Sequence, residues 1–274
     1  MMVATAVERQ ESVTLVPRRG LGWWVSGVLE MARRNLRHIL RSPELVMYGL
    51  MQPVMFILLF TYVFGGAINV PGGDYTQFLL PGIFVQLVLF GSVAGTTVGV
   101  CTDKNSGIMD RFRSMPISRS AVLVGRTVSE VLRYLVSLAV MVVVGLLVGF
   151  RFLDGFLSAL GGLALLVVFG YALSWLGAYV GMSSSSPEAA QSAGLIWMFP
   201  FSFISSAFVP TESMPGWLQV YANHSPMTTA VNSLRGLFNG EPVAGDIVAT
   251  LAWSAGILLL FATLSIRKYR SQSR

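Results

Sequence analysis

The sequence predicts an all-α polytopic membrane protein with six transmembrane helices. Three observations carry this. Only 12% of the 274 residues are charged, about half the share in a soluble domain. Mean hydropathy is +0.66, and apolar residues, 54% of the chain, gather into runs of about 20, the length a helix needs to cross a bilayer. The basic residues also segregate. Seventeen of 19 fall in the N-terminal region, in the stretch after the second apolar run or in the C-tail, leaving only Arg151 and Arg235 elsewhere.

Taken in order, residues 1–20 carry Glu8, Glu11 and scattered polar groups and lack an apolar core of signal length. They read as a flexible cytoplasmic tail. Residues 21–42 form a cytoplasmic interfacial helix. Within 23–41, Glu30, Arg33, Arg34, Arg37, His38 and Arg41 share one face, and Trp24, Val28, Leu36 and Leu40 lie among the apolar residues opposite. Such a basic amphipathic helix lies in the headgroup layer, its arginines against lipid phosphates. It is either a plain anchor or also a contact for a cytoplasmic partner. The permease domain covers 43–268, with spans near 44–64, 77–101, 121–150, 156–181, 189–210 and 244–266, and 269–274 is a cytoplasmic tail. The positive-inside rule puts both termini in the cytoplasm.

Ser42-Pro43-Glu44 and Ser186-Pro187-Glu188 share one helix-start device. Ser caps free amides, Pro fits the first turn, and Glu complements the positive helix end. Residues 209–242 are half apolar but broken by Pro210, Pro215, Pro226 and Gly240. They predict two short helices near 215–223 and 227–238, packed as a lid over the outer ends of the spans, since irregular backbone at membrane depth must be buried or face water.

Catalytic patterns are missing. Neither Lys104 nor Lys268 ends a phosphate-binding loop motif. His38 and His224 fall on opposite sides of the membrane, and no metal-ligand spacing exists. Cys101, the only cysteine, reads as a small buried residue. The run Ser183–Ser186 reads as a cytoplasmic turn. No enzyme activity, bound cofactor or metal is expected of this chain, nor a nucleic-acid partner.

Ionisable residues inside spans are functional candidates. Arg126, Glu130 and Arg133 qualify, at i,i+4 and i,i+3 on one face of span three. They read as an ion-paired extension at the cytoplasmic end, or as a joint that passes motion from loop to span. A proton-relay role for Glu130 is opposed by its two flanking arginines. The span centres are aromatic and Met-rich. Met55, Phe56 and Phe60 in span one, and Trp197, Met198 and Phe201 in span five, are candidates for a substrate pathway, since such side chains repack around bulky ligands. Pro53 and Pro200 can kink these two helices.

Residues 103–120 (DKNSGIMDRFRSMPISRS) concentrate six charges in one internal loop. Ile108 to Met115 can make two helical turns, with Ile108, Phe112 and Met115 as an apolar stripe, Asp110, Arg111 and Arg113 off it, and Pro116 as the stop. Topology alone needs the arginines but not the stripe, so the pattern favours a docking element over a merely solvated loop.

The interfacial helix, Ser42-Pro43-Glu44, the six spans, the loop from Gly107 to Arg119 and the outer Met214-Pro215, Ser225-Pro226 and Arg235-Gly236 together resemble the permease subunits of type-2 ATP-binding-cassette exporters, closest to the daunorubicin-resistance permeases of actinobacteria. Arg far above Lys fits a high-GC genome. The resemblance implies a type-2 exporter transmembrane domain in the bacterial cytoplasmic membrane. It implies that the loop is a coupling helix, with Ile108, Asp110, Arg111, Phe112, Arg113, Met115 and Pro116 against a separate nucleotide-binding ATPase subunit that holds ATP and Mg. It also implies a second permease chain, as homodimer or heterodimer, with spans one, two and five beside the pathway. The expected activity is export of an amphipathic drug, antibiotic or lipid. The alternative is an ion-coupled secondary transporter with Glu130 as its proton site.

Overall fold

The computed structural model describes residues 43–64, 74–106 and 119–271. The expected tail, the interfacial helix and residues 107–118 of the charged loop lie outside them. Every regular element among the described residues is helical. Helix α1 runs Pro43–Leu58 and continues as a π-helix over Leu59–Phe64. Then come α2 (Tyr75–Asn105), α3 (Arg119–Val148), α4 (Gly155–Ser183), α5 (Pro187–Phe203), a 3₁₀ turn at Thr211–Ser213, α6 (Gly216–His224), α7 (Pro226–Asn239) and α8 (Ala244–Ser271).

Local chemistry sets many of these boundaries. Asp74 Oδ1 accepts from the amides of Thr76 (2.9 Å) and Gln77 (3.3 Å) to open α2. Ser186 Oγ accepts from Ala189 N at 3.2 Å, with Pro187 in the first turn of α5. Ser225-Pro226 repeats the device at α7, where Ser225 Oγ accepts from Met227 N. Helix α7 ends on Gly240, whose φ of 82° only glycine adopts freely.

Helices α2, α3, α4 and α8 are each long and apolar enough to cross a membrane. The other two expected spans are shorter. In α1 the apolar helical run is Gly49–Val63. The fifth run, expected over 189–210, is helical only to Phe203. Its 17 residues make about 25 Å of helix, less than the roughly 30 Å hydrocarbon core. Beyond Phe203 the chain bends because the side chains of α7 take over its backbone groups. Ser206 N donates to Thr228 Oγ1 at 3.1 Å, and Arg235 Nη2 donates to Ser206 O at 2.6 Å.

Helix α2 is the centre of the bundle, with α3, α4, α5 and α7 packed around it, α8 against α4, and α1 against α2 and α3. Lipid tails are as apolar as leucine, so close packing and interhelical hydrogen bonds, rather than hydrophobicity, hold spans together. Both are present. A Cβ at Gly177 or Gly181 of α4 would meet the backbone of Val93 or Thr97 in α2, and Thr97 Oγ1 donates to Gly177 O at 3.1 Å. Tyr134 of α3 donates to Val167 O of α4 at 3.0 Å. Near the α3–α4 connection, the rings of Phe84, Phe150, Phe152 and Phe238 meet edge to face at 4.9–6.4 Å. Each such pair contributes about 0.5–1.5 kcal/mol beyond its burial.

Candidate functional site

The residues Arg126, Glu130 and Arg133 form one ion cluster on α3, with a buried glutamate between two half-buried arginines. Glu130 Oε2 accepts from Arg133 Nε at 2.6 Å, and Oε1 from Arg126 Nη2 at 3.3 Å. The glutamate is 6% exposed. The cluster reaches across to α2 at two points. Arg126 Nη1 pairs with Asp103 Oδ2 at 3.4 Å, and Arg133 Nη2 donates to Gly91 O at 2.6 Å. Glycines make the room for it. A Cβ on Gly95 would overlap the Arg133 guanidinium and the Glu130 carboxylate, and one on Gly99 would overlap the Arg126 guanidinium. The spacing along α3 made the triad legible. Its α2 half, the stripe Gly91, Gly95 and Gly99 with Asp103, escaped the sequence reading, although small residues every fourth position are a signal for close helix approach.

This clamp stands at the base of the 103–120 loop, whose two ends leave α2 and enter α3. The site residues expected on the loop itself (Ile108, Asp110, Arg111, Phe112, Arg113, Met115 and Pro116) lie outside the described residues. The end of α2 is tied sideways as well. Lys104 Nζ donates to Ser184 O at 2.6 Å, and Asn105 Nδ2 to Ser185 O at 3.0 Å. Lys268 of α8 donates to Ser183 Oγ at 2.8 Å. The serine run is thus a turn that gathers the ends of α2, α4, α5 and α8. With both Glu130 oxygens occupied by arginines, the ion-coupled alternative is not favoured.

The six expected pathway residues do not come together. Met55 is 55% exposed on a face of α1 that also shows Met47, Met51 and Tyr62. Phe56 and Phe60 turn inward and meet Phe208, which stacks on Phe203 at 4.9 Å. Met198 is fully buried in the core. Trp197 and Phe201 point elsewhere. With Leu173 and Leu176 of α4, Trp253 of α8 and His224 of α6, they line a cavity of about 720 Å³. Sequence reasoning named Trp197 and Phe201 but missed this cavity, because its walls come from five separate helices, α4, α5, α6, α7 and α8.

Arg235 stands out in the sequence as a basic residue apart from the three clusters and as part of the Arg235-Gly236 pair in the family resemblance, with no contact assigned to it. In the structure its guanidinium staples the segment that follows α5 to α2 and α7. Nε donates to Phe78 O of α2 at 2.9 Å, and Nη2 to Ser206 O at 2.6 Å and Ala207 O at 3.4 Å. The group also lies 3.5 Å over the Phe78 ring. Asn232 Oδ1 accepts from Ser206 Oγ at 2.9 Å beside it. The expected pair of short outer helices is present as α6 and α7, with α7 packed on α2, α4 and α8. Among the described residues no group of three or more His, Cys, Asp or Glu could hold a metal ion.

Comparison with known proteins agrees with this architecture. The model of the ABC-2 type transporter family matches residues 27–239. The chain is 38% identical to a daunorubicin resistance ABC transporter permease protein, DrrB1 of Streptomyces coeruleorubidus, over 91% of this chain and 88% of that one. It is 25% identical to a probable doxorubicin resistance ABC transporter permease protein, DrrC of Mycobacterium tuberculosis (strain ATCC 25618 / H37Rv), over 100% of this chain and 99% of that one. A putative transport permease, ycf38 of Porphyra purpurea, is 26% identical over 76% and 72% of the two chains. A helical bundle clamped at the base of its charged loop, with a family match over most of its length, leads to one conclusion: the chain belongs to the ABC-2 type transporter family.

Proposed function

We propose that the chain is the six-span permease subunit of an ATP-driven exporter that moves an amphipathic drug, antibiotic or lipid out of the cytoplasm or inner leaflet. A separate ATPase subunit, holding ATP and Mg, docks on the loop 103–120, and a second permease chain completes the pathway. The names of the relatives as resistance permeases support this reading. The observation that carries it is the clamp between α2 and α3. A loop emerging from two helices joined by the Asp103–Arg126 pair, by the Arg133 hydrogen bond to Gly91 O and by glycine contact cannot be pulled without moving both helices together. That is the connection a coupling element needs. On this reading α1 and α5 cross the remaining membrane with the π-helical extension and the outer segment completing their paths, both termini are cytoplasmic, and the exposed Met47, Met51 and Met55 face of α1 meets the second chain.

Two measurements test it. The tagged chain is purified from native membranes in mild detergent, where an ATP-binding subunit is expected at about one per permease. Phe112→Ala with Arg113→Ala is expected to abolish ATP-dependent export while the chain still folds and inserts. Export and ATPase binding that survive the double substitution would remove the docking assignment.

A further inference from the structure

We propose that the end of the bundle where the C-terminal turns of α4 and α8 meet holds one anionic phospholipid. Its phosphate diester sits on Arg267 and Lys268, and its chains lie along α8. The two cations are consecutive on α8, and Lys268 leans toward α4. Its Nζ donates to Ser183 Oγ at 2.8 Å and lies 5.4 Å from the centre of the Tyr179 ring. The hydroxyl takes one of three ammonium donors, and the ring face holds the cation without neutralising it. Arg267, one residue back, is exposed. Among the described residues no carboxylate pairs with either cation. Glu188, on the neighbouring α4–α5 turn, is held by its own amide and by the Ser186 hydroxyl. Lys104 is spent on the carbonyls of Ser184 and Met182. A phosphate diester, with one negative charge over two acceptor oxygens, complements the pair that remains.

The level is that of the headgroups. Arg267 and Lys268 stand about 35 and 36 Å along α8 from Ala244, and Ser183 about 42 Å along α4 from Gly155. The hydrocarbon core is about 30 Å thick, so all three pass its edge. The sides of α8 then lead a lipid to them. Leu259 and Leu260 are 68% and 54% exposed, and Leu259, Thr263 and Arg267 form one outward stripe at four-residue spacing. An acyl chain lying on that stripe brings its headgroup to Arg267. Tyr179 of α4 and Phe261 of α8, with ring centres 5.8 Å apart, bridge the two helices on the membrane side of Lys268, where aromatic rings collect at an interface. A soluble anion would need the two cations alone. The stripe and the rings point to a lipid. Because Ser183 belongs to the turn that gathers α2, α4, α5 and α8, a lipid held here fastens α8 to that turn.

The proposal is independent of the exporter reading, and its test needs no ATPase, so the two fail separately. The full chain in detergent micelles is given dioleoyl phosphatidylglycerol or dioleoyl phosphatidylcholine, and the lipids retained are counted by native mass spectrometry. The unsubstituted chain is expected to keep one phosphatidylglycerol about fivefold more often than phosphatidylcholine. Arg267→Gln with Lys268→Gln is expected to bring the two near parity. Arg151→Gln, which removes an exposed cation at the other end of the bundle, is expected to leave the preference as it was. No preference in the unsubstituted chain, or the same preference in the double variant, would overturn the site. So would displacement of the lipid by glycerol 3-phosphate at equal concentration, which would mark a site for soluble anions. Should the double variant fail to insert, a phosphatidylglycerol with a photoreactive group beside its phosphate is used on the unsubstituted chain. Labels within 179–184 and 263–268 support the site, and labels confined elsewhere overturn it.

Discussion

Replacing Gly95 by alanine adds one methyl group, and the structure says where it goes. It would lie inside the space held by the Arg133 guanidinium and the Glu130 carboxylate. Overpacking a close-packed site costs about 1–3 kcal/mol. The methyl must also push Arg133 off Glu130. That bond is charge-assisted, but the Arg133 side chain is 33% exposed, and solvent screening leaves it worth roughly 1 kcal/mol. The sum is a loss of about 2–4 kcal/mol, or roughly 5–12 °C in the unfolding midpoint of a chain this long. Gly161 supplies the control. It is also a helical glycine, but an added Cβ there meets nothing within 4 Å, and alanine is the better helix former by about 0.5–1 kcal/mol. Thermal unfolding of the purified chain in one detergent, at one scan rate because membrane proteins often unfold irreversibly, is expected to place Gly95→Ala well below and Gly161→Ala level with or above the unsubstituted chain. A Gly95→Ala variant that melts with the parent, or a Gly161→Ala variant that falls as far, would refute the argument that α2 makes room for the cluster by its glycines.

Other outcomes follow from the same contacts. Glu130→Gln leaves two arginines facing α2 without their shared partner, and stability is expected to fall by about 2–3 kcal/mol after discounting for their partial exposure. Export measured at fixed ATP should stay indifferent to an imposed proton gradient in both forms, and a gradient-dependent loss in Glu130→Gln alone would revive ion coupling. Arg235→Lys keeps the charge but loses the planar fork that reaches the carbonyls of Phe78, Ser206 and Ala207 together. It is expected to destabilise the outer segment by about 2–4 kcal/mol and to speed limited proteolysis between α5 and α6, with the sites read by mass spectrometry. A cleavage rate equal to the parent's would show that the staple does not hold the segment between α5 and α6.

What could be read in the sequence was whatever a short stretch decides for itself. The outer helices, expected near 215–223 and 227–238, are found at Gly216–His224 and Pro226–Asn239 because Pro215, Ser225-Pro226 and Gly240 punctuate them locally. Long apolar runs gave α2, α3, α4 and α8 with ends displaced by a few residues. The Arg126, Glu130 and Arg133 face followed from helical spacing alone. The end of α5 did not, since Phe203 is followed by more apolar sequence. The helix stops there because Thr228 and Arg235, more than 20 residues onward, claim the next backbone groups. That Met55, Phe56, Phe60 and Met198 face other directions than Trp197 and Phe201 was not legible for a similar reason. Hydropathy says which residues are apolar but not how a helix is rotated against its neighbours, and rotation sends Phe56 to Phe208 and Trp197 to the cavity.

The glycines of α2 have a mechanical consequence. At Gly82 a Cβ would meet the backbone of Ala207, in the segment that Arg235 holds. At Gly99 it would meet Arg126 of the clamp. These two points are 17 residues apart, about 25 Å of helix. At the first, backbone presses on backbone with no side chain between to yield, and at the second on a guanidinium already fixed by carboxylates. A stretch of α2 seated this firmly at both places acts as a lever rather than a spring. Each degree of tilt imposed at one end moves the other by about 0.4 Å over that length, so the Arg235 side and the loop side of the bundle register each other's position.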